Sequence, residues 1–295
     1  MGRFSHLKQG GGGNAGGAGG GSIVVPKSSN VDVAVSELWE EVSEEFTLRA
    51  TFMGVVGDTD SGRTRFSLTA PGPIAYLHCG EKKDGLIEEM RKSKLIRVHD
   101  FGGVFSGNNQ AIADAAGRNW MKFRKAFMEA FGWAKTIVVD TDTDLWELLR
   151  LARFGAIKPT GGRVDANYGP VNAEFRSLAQ RFRAQEMTNV IFISKTGDEY
   201  VKSKTGQSTG MGERTGRTIR RGMKDVPYWC DVVVRCHKIE ATSDKPRKFR
   251  AVVEKGWFNA HSEGTKFSNA LMTFPNVMAA VTNTEEEEWN VARKG

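Results

Sequence analysis

Cysteine is scarce: Cys79, Cys230 and Cys236 are the only three in 295 residues. They form no C-x-x-C pair, and no histidines stand at zinc spacing, which argues against a zinc module or a disulfide scaffold. So few thiols fit a reducing compartment, and a cytoplasmic location is expected. No apolar run reaches 18 residues, so no membrane span is expected. The N-terminus, MGRFSHLKQ, lacks the apolar core of a signal peptide. It also misses the myristoylation pattern, with His6 where serine or threonine is required. Acidic residues are in the minority: 42 Lys and Arg face 35 Asp and Glu, a net charge of +7. That balance favours an acidic partner such as nucleic acid, a nucleotide or a membrane surface. Hydrophobic residues make up 39%, enough for a sizeable core in one large or two small domains.

Glycine, in contrast, is abundant. Residues 10–22, GGGGNAGGAGGGS, cannot bury apolar surface and read as a flexible tether. SELWEEVSEEF (36–46) reads as a short amphipathic helix. Strand, turn and helix patterns then alternate. Short apolar runs at 50–56, 74–80, 95–101, 135–140 and 189–194 predict strands, and RTRFSLTA after the first run predicts a helix. Residues 110–131 carry Trp120, Phe123, Phe127 and Phe131 at helical spacing, a stripe read as core. TDTDLWELLRLARF predicts a helix with Asp144 and Glu147 at capping-box spacing. Asn172 is the expected cap of a helix burying Phe175, Leu178, Ala179 and Phe182. DVVVRCHKI and KFRAVVEKGW flank a turn-rich segment and predict an antiparallel hairpin. The fold class expected is α/β: a mostly parallel central sheet flanked by helices, with a C-terminal antiparallel hairpin. The expected organisation is a tether over 1–30, a core over 31–260 and a tail with an acidic run over 261–295. No internal repeat is visible.

The chemistry begins at GDTDSGRT: Gly57, Asp58, Thr59, Asp60, Ser61, Gly62, Arg63 and Thr64. Glycine, four residues, glycine, a basic residue and a hydroxyl residue is the spacing of a phosphate-binding loop, here between a predicted strand and a predicted helix. The glycines let backbone amides approach a phosphate, and Thr64 offers a hydroxyl to Mg²⁺. Arg63 stands where the usual pattern has lysine; its planar fork keeps the charge but is larger than an ammonium. TIVVD ends in Asp140, the expected metal-side carboxylate at the carboxyl edge of the sheet. Asp142 and Asp144 read as capping and solvated groups. Glu81, after the second strand, is a candidate general base for an attacking water. Ser194, at the end of NVIFIS, is a candidate sensor of a terminal phosphate. KSKTGQSTGMGERTGRTIRRGMKD (202–225) reads as a flexible basic loop able to follow a nucleic-acid backbone, with Arg214, Arg217, Arg220 and Arg221 as its phosphate contacts. Tyr228 and Trp229, just beyond, are candidates for base stacking, with burial the alternative for Trp229. TEEEEW (284–289) is an acidic run able to compete for the basic loop or to recruit a partner.

The loop GDTDSGRT, the acidic Glu81, TIVVDTDTDLW and GPVNAEFRSLAQRFRAQEMTNVIFISKTGDEYV together resemble the phage-encoded RecA-like recombination ATPases, the Sak-type relatives of RecA and RadA, over about residues 50–257. The resemblance implies a RecA-like core that binds ATP and Mg²⁺, forms a homo-oligomer on single-stranded DNA, and promotes annealing, strand exchange or repair in the host-cell cytoplasm. It implies Glu81 as the base and Lys255, in VVEKGWF, as a group reaching a neighbouring subunit's nucleotide. A single-strand-binding protein is a candidate partner. Because that family carries lysine where Arg63 stands, slow hydrolysis is expected. Two other functions use the same features: a helicase or packaging-type motor, and a non-hydrolysing DNA-binding protein switched by nucleotide.

Overall fold

Strand runs that are apolar at nearly every position need cover on both faces, and the computed structural model supplies it. The structure describes residues 50–80, 84–156, 168–183, 187–201, 213–242 and 246–290. All of them lie in the unit Leu48–Gly295. The glycine tract, the helix expected at 36–46, Glu81, the first half of the basic stretch and the side chain of Phe182 lie outside what is described.

An eight-stranded sheet has the order β10-β9-β8-β1-β5-β4-β2-β3. Its strands are β1 (Phe52–Gly57), β2 (Ile74–His78), β3 (Ile96–Asp100), β4 (Thr136–Asp140), β5 (Asn189–Ser194), β8 (Val232–Ile239), β9 (Lys248–Gly256) and β10 (Lys266–Ser268). β8, β1, β5, β4, β2 and β3 run parallel; β8 and β9, and β9 and β10, pair antiparallel. The expected α/β class and the C-terminal hairpin, β8–β9, are both present.

Alternate residues of the central strands β1, β2, β4 and β5 feed two cores. Phe52 and Val56, Leu77, Val139 and Phe192 face one side. There they meet α3 (Asn109–Ala130), α4 (Asp142–Phe154), α5 (Gly169–Arg183) and α6 (Val226–Trp229). Trp120, Phe123 and Phe127 are buried in this core, and Phe131 packs partly buried against it. Met53, Val55, Tyr76, Val138 and Ile193 face the other side. They meet α1 (Arg63–Leu68), α2 (Asp84–Arg91) and α7 (Phe274–Thr282).

Three local expectations are corrected. The cap of α4 is Thr141, whose hydroxyl accepts from the Asp144 amide at 3.1 Å. Asp144 therefore sits in the first turn rather than before it. α5 starts at Gly169, because Pro170 needs no amide partner in a first turn. Asn172 lies inside that helix, and its Oδ1 accepts from Trp146 Nε1 at 3.2 Å. The basic stretch read as one loop over 202–225 contains β7 (Glu213–Arg220), paired antiparallel with β6 (Thr196–Val201), and is followed by α6. Cross-strand polar pairs hold this hairpin: Arg214 Nη2 to Asp198 Oδ1 at 2.5 Å and Thr215 Oγ1 to Glu199 Oε2 at 2.7 Å.

Described residues between 261 and 290 pack on the core. Thr273 caps α7, and Phe274, Val277, Met278 and Val281 are buried against the sheet. The acidic run forms α8 (Glu286–Asn290), whose Trp289 is buried and donates its indole N–H to Thr284 Oγ1 at 3.1 Å. Phe274→Ala should therefore destabilise the protein by about 3–5 kcal/mol, the usual cost of emptying a buried phenylalanine site. Urea unfolding followed by far-UV circular dichroism measures it; an unchanged midpoint would mean that α7 unfolds separately from the sheet.

Candidate active site

The parallel strands end together at one edge. In register, Val56 pairs with Ser194, Ile193 with Asp140 and Asp140 with His78. β5 separates β1 from β4, so the loop after β1 and the carboxylate after β4 are not strand neighbours. The loop bridges that gap.

The loop is tightly wound. A Cβ on Gly57 would fall 2.5 Å from both the Cys236 carbonyl oxygen and Ser61 Oγ, so only glycine fits. Asp60 and Gly62 have φ of 59° and 87°, and the left-handed turn at Gly62 opens α1. Ser61 Oγ is buried and has no hydrogen-bond partner among the described residues. A wound loop with an unsatisfied hydroxyl at its centre suits a polyanion.

Thr64, on the first turn of α1, donates its hydroxyl to Asp140 Oδ2 at 2.7 Å. Tyr76, on β2, donates to the same oxygen at 2.7 Å. Burial, reinforced by the neighbouring Asp140, raises the Tyr76 phenol far above its ordinary range, so it remains a donor. In the sequence Tyr76 is one more apolar strand position, and nothing local marks it. No cluster of three or more His, Cys, Asp or Glu side chains capable of holding a metal occurs among the described residues. A carboxylate and a hydroxyl alone are a hard oxygen pair, which fits Mg²⁺, an ion that keeps several waters.

Arg63 runs across the loop. Its Cγ is 3.3 Å from where a Gly57 Cβ would stand, and its Nη1 donates to the Ser194 carbonyl at 2.6 Å. Burial pushes the nearby Cys236 thiol to about 12, with the Arg63 charge opposing. The Ser194 hydroxyl turns elsewhere, accepting from Arg220 Nε at 2.7 Å. Arg220 also donates to the Met223 carbonyl at 2.5 Å and forms an ion pair with Asp142. The two side chains are 10% and 1% exposed, so this pair is interior. Burial raises the Asp142 carboxyl and Arg220 opposes it. Asp142 is thus a buried anchor rather than a solvated group. Asp144 pairs with Lys195 at 2.6 Å, and the Thr196 hydroxyl donates to Asp58 of the loop.

The four arginines of the basic stretch are not equivalent. Arg217 and Arg221 are exposed, Arg214 is exposed beside Asp198, and Arg220 is directed inward. Tyr228 is 76% exposed, whereas Trp229 packs partly buried against the core. Lys255 lies away from the loop: it pairs with Val233, which is level with Gly54, and its Nζ donates to the carbonyls of Cys230 at 2.5 Å and Pro227 at 3.1 Å. Beside the loop a cavity of about 380 Å³ is lined by Asp60, Gly62, Thr64, Leu86, Phe249 and Met272. No helix among the described residues is long and apolar enough to cross a membrane.

The solved structures similar to this chain include a recombinase and a KaiC-like protein. A RadB recombinase superposes with a TM-score of 0.41 at 15% identity, covering 74% of this chain and 86% of its own. A KaiC-like protein from the hyperthermophilic archaeon Pyrococcus horikoshii OT3 superposes with a TM-score of 0.38 at 13% identity, covering 75% of this chain and 85% of its own. No curated protein matches the sequence. The model of the AAA domain family matches residues 50–293, which takes in the wound loop, Asp140 and the whole sheet; the chain belongs to the AAA domain family.

Proposed function

We propose that this protein binds ATP with Mg²⁺ at the wound loop and acts on single-stranded DNA in recombination, annealing or repair, as a phage-encoded RecA-like ATPase working in the host cytoplasm. The observation that carries the nucleotide assignment is the 2.7 Å contact between Thr64 and Asp140 at the mouth of a glycine-wound loop. Loop residues Gly57 to Thr64 hold the phosphates through backbone amides, Arg63 adds a positive charge, and the adjoining cavity has room for the nucleoside. Thr64 and Asp140 hold Mg²⁺, which neutralises phosphate charge when bound. Glu81 polarises the attacking water, Ser194 relays the state of the loop through its carbonyl contact with Arg63, and Lys255 serves a neighbouring copy in a homo-oligomer. The net charge of +7 and the exposed Arg214, Arg217 and Arg221 support DNA as the partner.

Thr64→Ala and Asp140→Ala should each weaken Mg²⁺-dependent binding of a fluorescent ATP analogue by about tenfold or more, equivalent to roughly 1.4 kcal/mol. Undiminished affinity in both folded variants would overturn the site assignment.

Arg63→Lys tests the slow turnover. The fork of Arg63 is held on Ser194, so it does not follow a migrating phosphoryl group as a free ammonium does. Phosphate release should be faster in the lysine variant under saturating ATP. Slower release would show that arginine is matched to this pocket.

For DNA, replacing Arg214, Arg217 and Arg221 by glutamine should flatten the log–log salt dependence of oligonucleotide binding by about 0.7 for each phosphate that is no longer neutralised. Arg220 is left out because its replacement would break a buried ion pair. An unchanged slope in a salt titration would remove the hairpin from the DNA site.

A further inference from the structure

Beyond the loop and the hairpin, the sheet has a face whose alternation reverses. On β8 the buried residues Val232, Val234 and Cys236 point into the second core, as do Ala251 and Val253 of β9. The alternate positions are mostly polar. They are Arg235, His237 and Ile239 on β8, with Lys248, Arg250, Val252 and Glu254 on β9. Directly paired residues of antiparallel strands share a face, which fixes who stands beside whom. Lys248 pairs with Ile239, Arg250 with His237, and Val252 with Arg235. On the edge strand, Lys266 pairs with Val252 and Ser268 with Arg250. His237, Ile239, Lys248, Glu254 and Lys266 are exposed, and Arg235, Arg250, Val252 and Ser268 are half-buried.

This three-strand face therefore presents Arg235, Lys248, Arg250 and Lys266 against one carboxylate, Glu254, which Arg235 engages. The Nε of Arg250 is buried and has no hydrogen-bond partner among the described residues. His237 faces Arg235 and Arg250, with Glu254 and Asp58 as the nearby anions. Asp58 belongs to the wound loop and touches Thr196 at the root of the hairpin, so the basic face adjoins both. Successive outward positions on one strand lie about 7 Å apart, which lays the cations out as a row rather than a point cluster. None of these outward strand positions is Phe, Tyr or Trp, and His237 is the one ring among them, so the face offers mainly charge.

We infer that the outward face of β8, β9 and β10 is a second nucleic-acid track, which takes the phosphodiester backbone of single-stranded DNA independently of sequence. A row of cations with a single, already engaged carboxylate is complementary to a polyanion, and contacts limited to phosphates carry no base information. The inference rests on DNA as the chain's partner but not on the hairpin as its site.

The test is a salt series with a labelled mixed-sequence oligonucleotide on the full chain. Lys248→Gln with Lys266→Gln changes two exposed side chains only, and adding Arg250→Gln makes the triple variant. The double variant should flatten the log–log slope by about 1.4, at roughly 0.7 per phosphate contact, and weaken binding severalfold at low salt. Slope and affinity equal to wild type in both variants would overturn the inference, including the case in which only the hairpin variant binds more weakly. Weaker binding in the sheet-face variants with an unaffected hairpin variant would uphold this track and reject the hairpin. Anionic vesicles serve as the competing surface: a variant that no longer binds vesicles but keeps DNA binding would assign the face to membranes and overturn the proposal.

Discussion

The ion pair between Arg220 and Asp142 joins parts of the chain that the sequence keeps far apart. Arg220 closes β7, Asp142 opens α4 directly after β4, and the same guanidinium reaches Ser194 at the end of β5. Two charges taken out of water are tolerated only when their remaining hydrogen bonds are met, and the Ser194 hydroxyl and Met223 carbonyl meet them. Removing one partner from such a pair typically costs about 3–5 kcal/mol. The hairpin is thereby rooted in the edge of the sheet where the wound loop, Ser194 and Asp140 converge.

That rooting gives the site its connectivity. Asp58 of the loop meets Thr196 of β6, Arg63 meets the Ser194 carbonyl, and Lys195 meets Asp144. Whatever displaces Arg63 or Asp58 acts on residues adjacent to the hairpin. Lysine at position 63 would lack the planar fork that spans from the loop to β5. Arginine here is thus a structural tie as well as a charge, which its position in the motif alone does not reveal.

The two cores divide the labour. One packs the aromatic stripe of α3 and the helices that carry Asp142 and Asp144. The other packs α1, α2 and α7, and so sets where Thr64 stands relative to Asp140. α7 belongs to this second core through Phe274 and Val277, so residues after 260 help to hold the loop-bearing side of the sheet.

The sequence by itself determined what depends on local pattern. Five parallel strands, the β8–β9 hairpin, the aromatic core stripe and the wound loop were all legible, because apolar runs, helical spacing and glycine spacing are local signals. The tertiary structure decided what depends on partners distant in the chain. Tyr76 reads as an apolar strand residue until Asp140 is brought beside it. Asp142 reads as a capping or solvated group and Arg220 as a phosphate contact until burial pairs them. The outward cations of β9 and β10 become a surface only through strand register. β7 reads as loop because glycine, arginine and threonine carry no strand period strong enough to show; its cross-strand pairs with Asp198 and Glu199 supply what propensity does not. Desolvation and pairing are properties of the folded neighbourhood, and no window along the chain contains them.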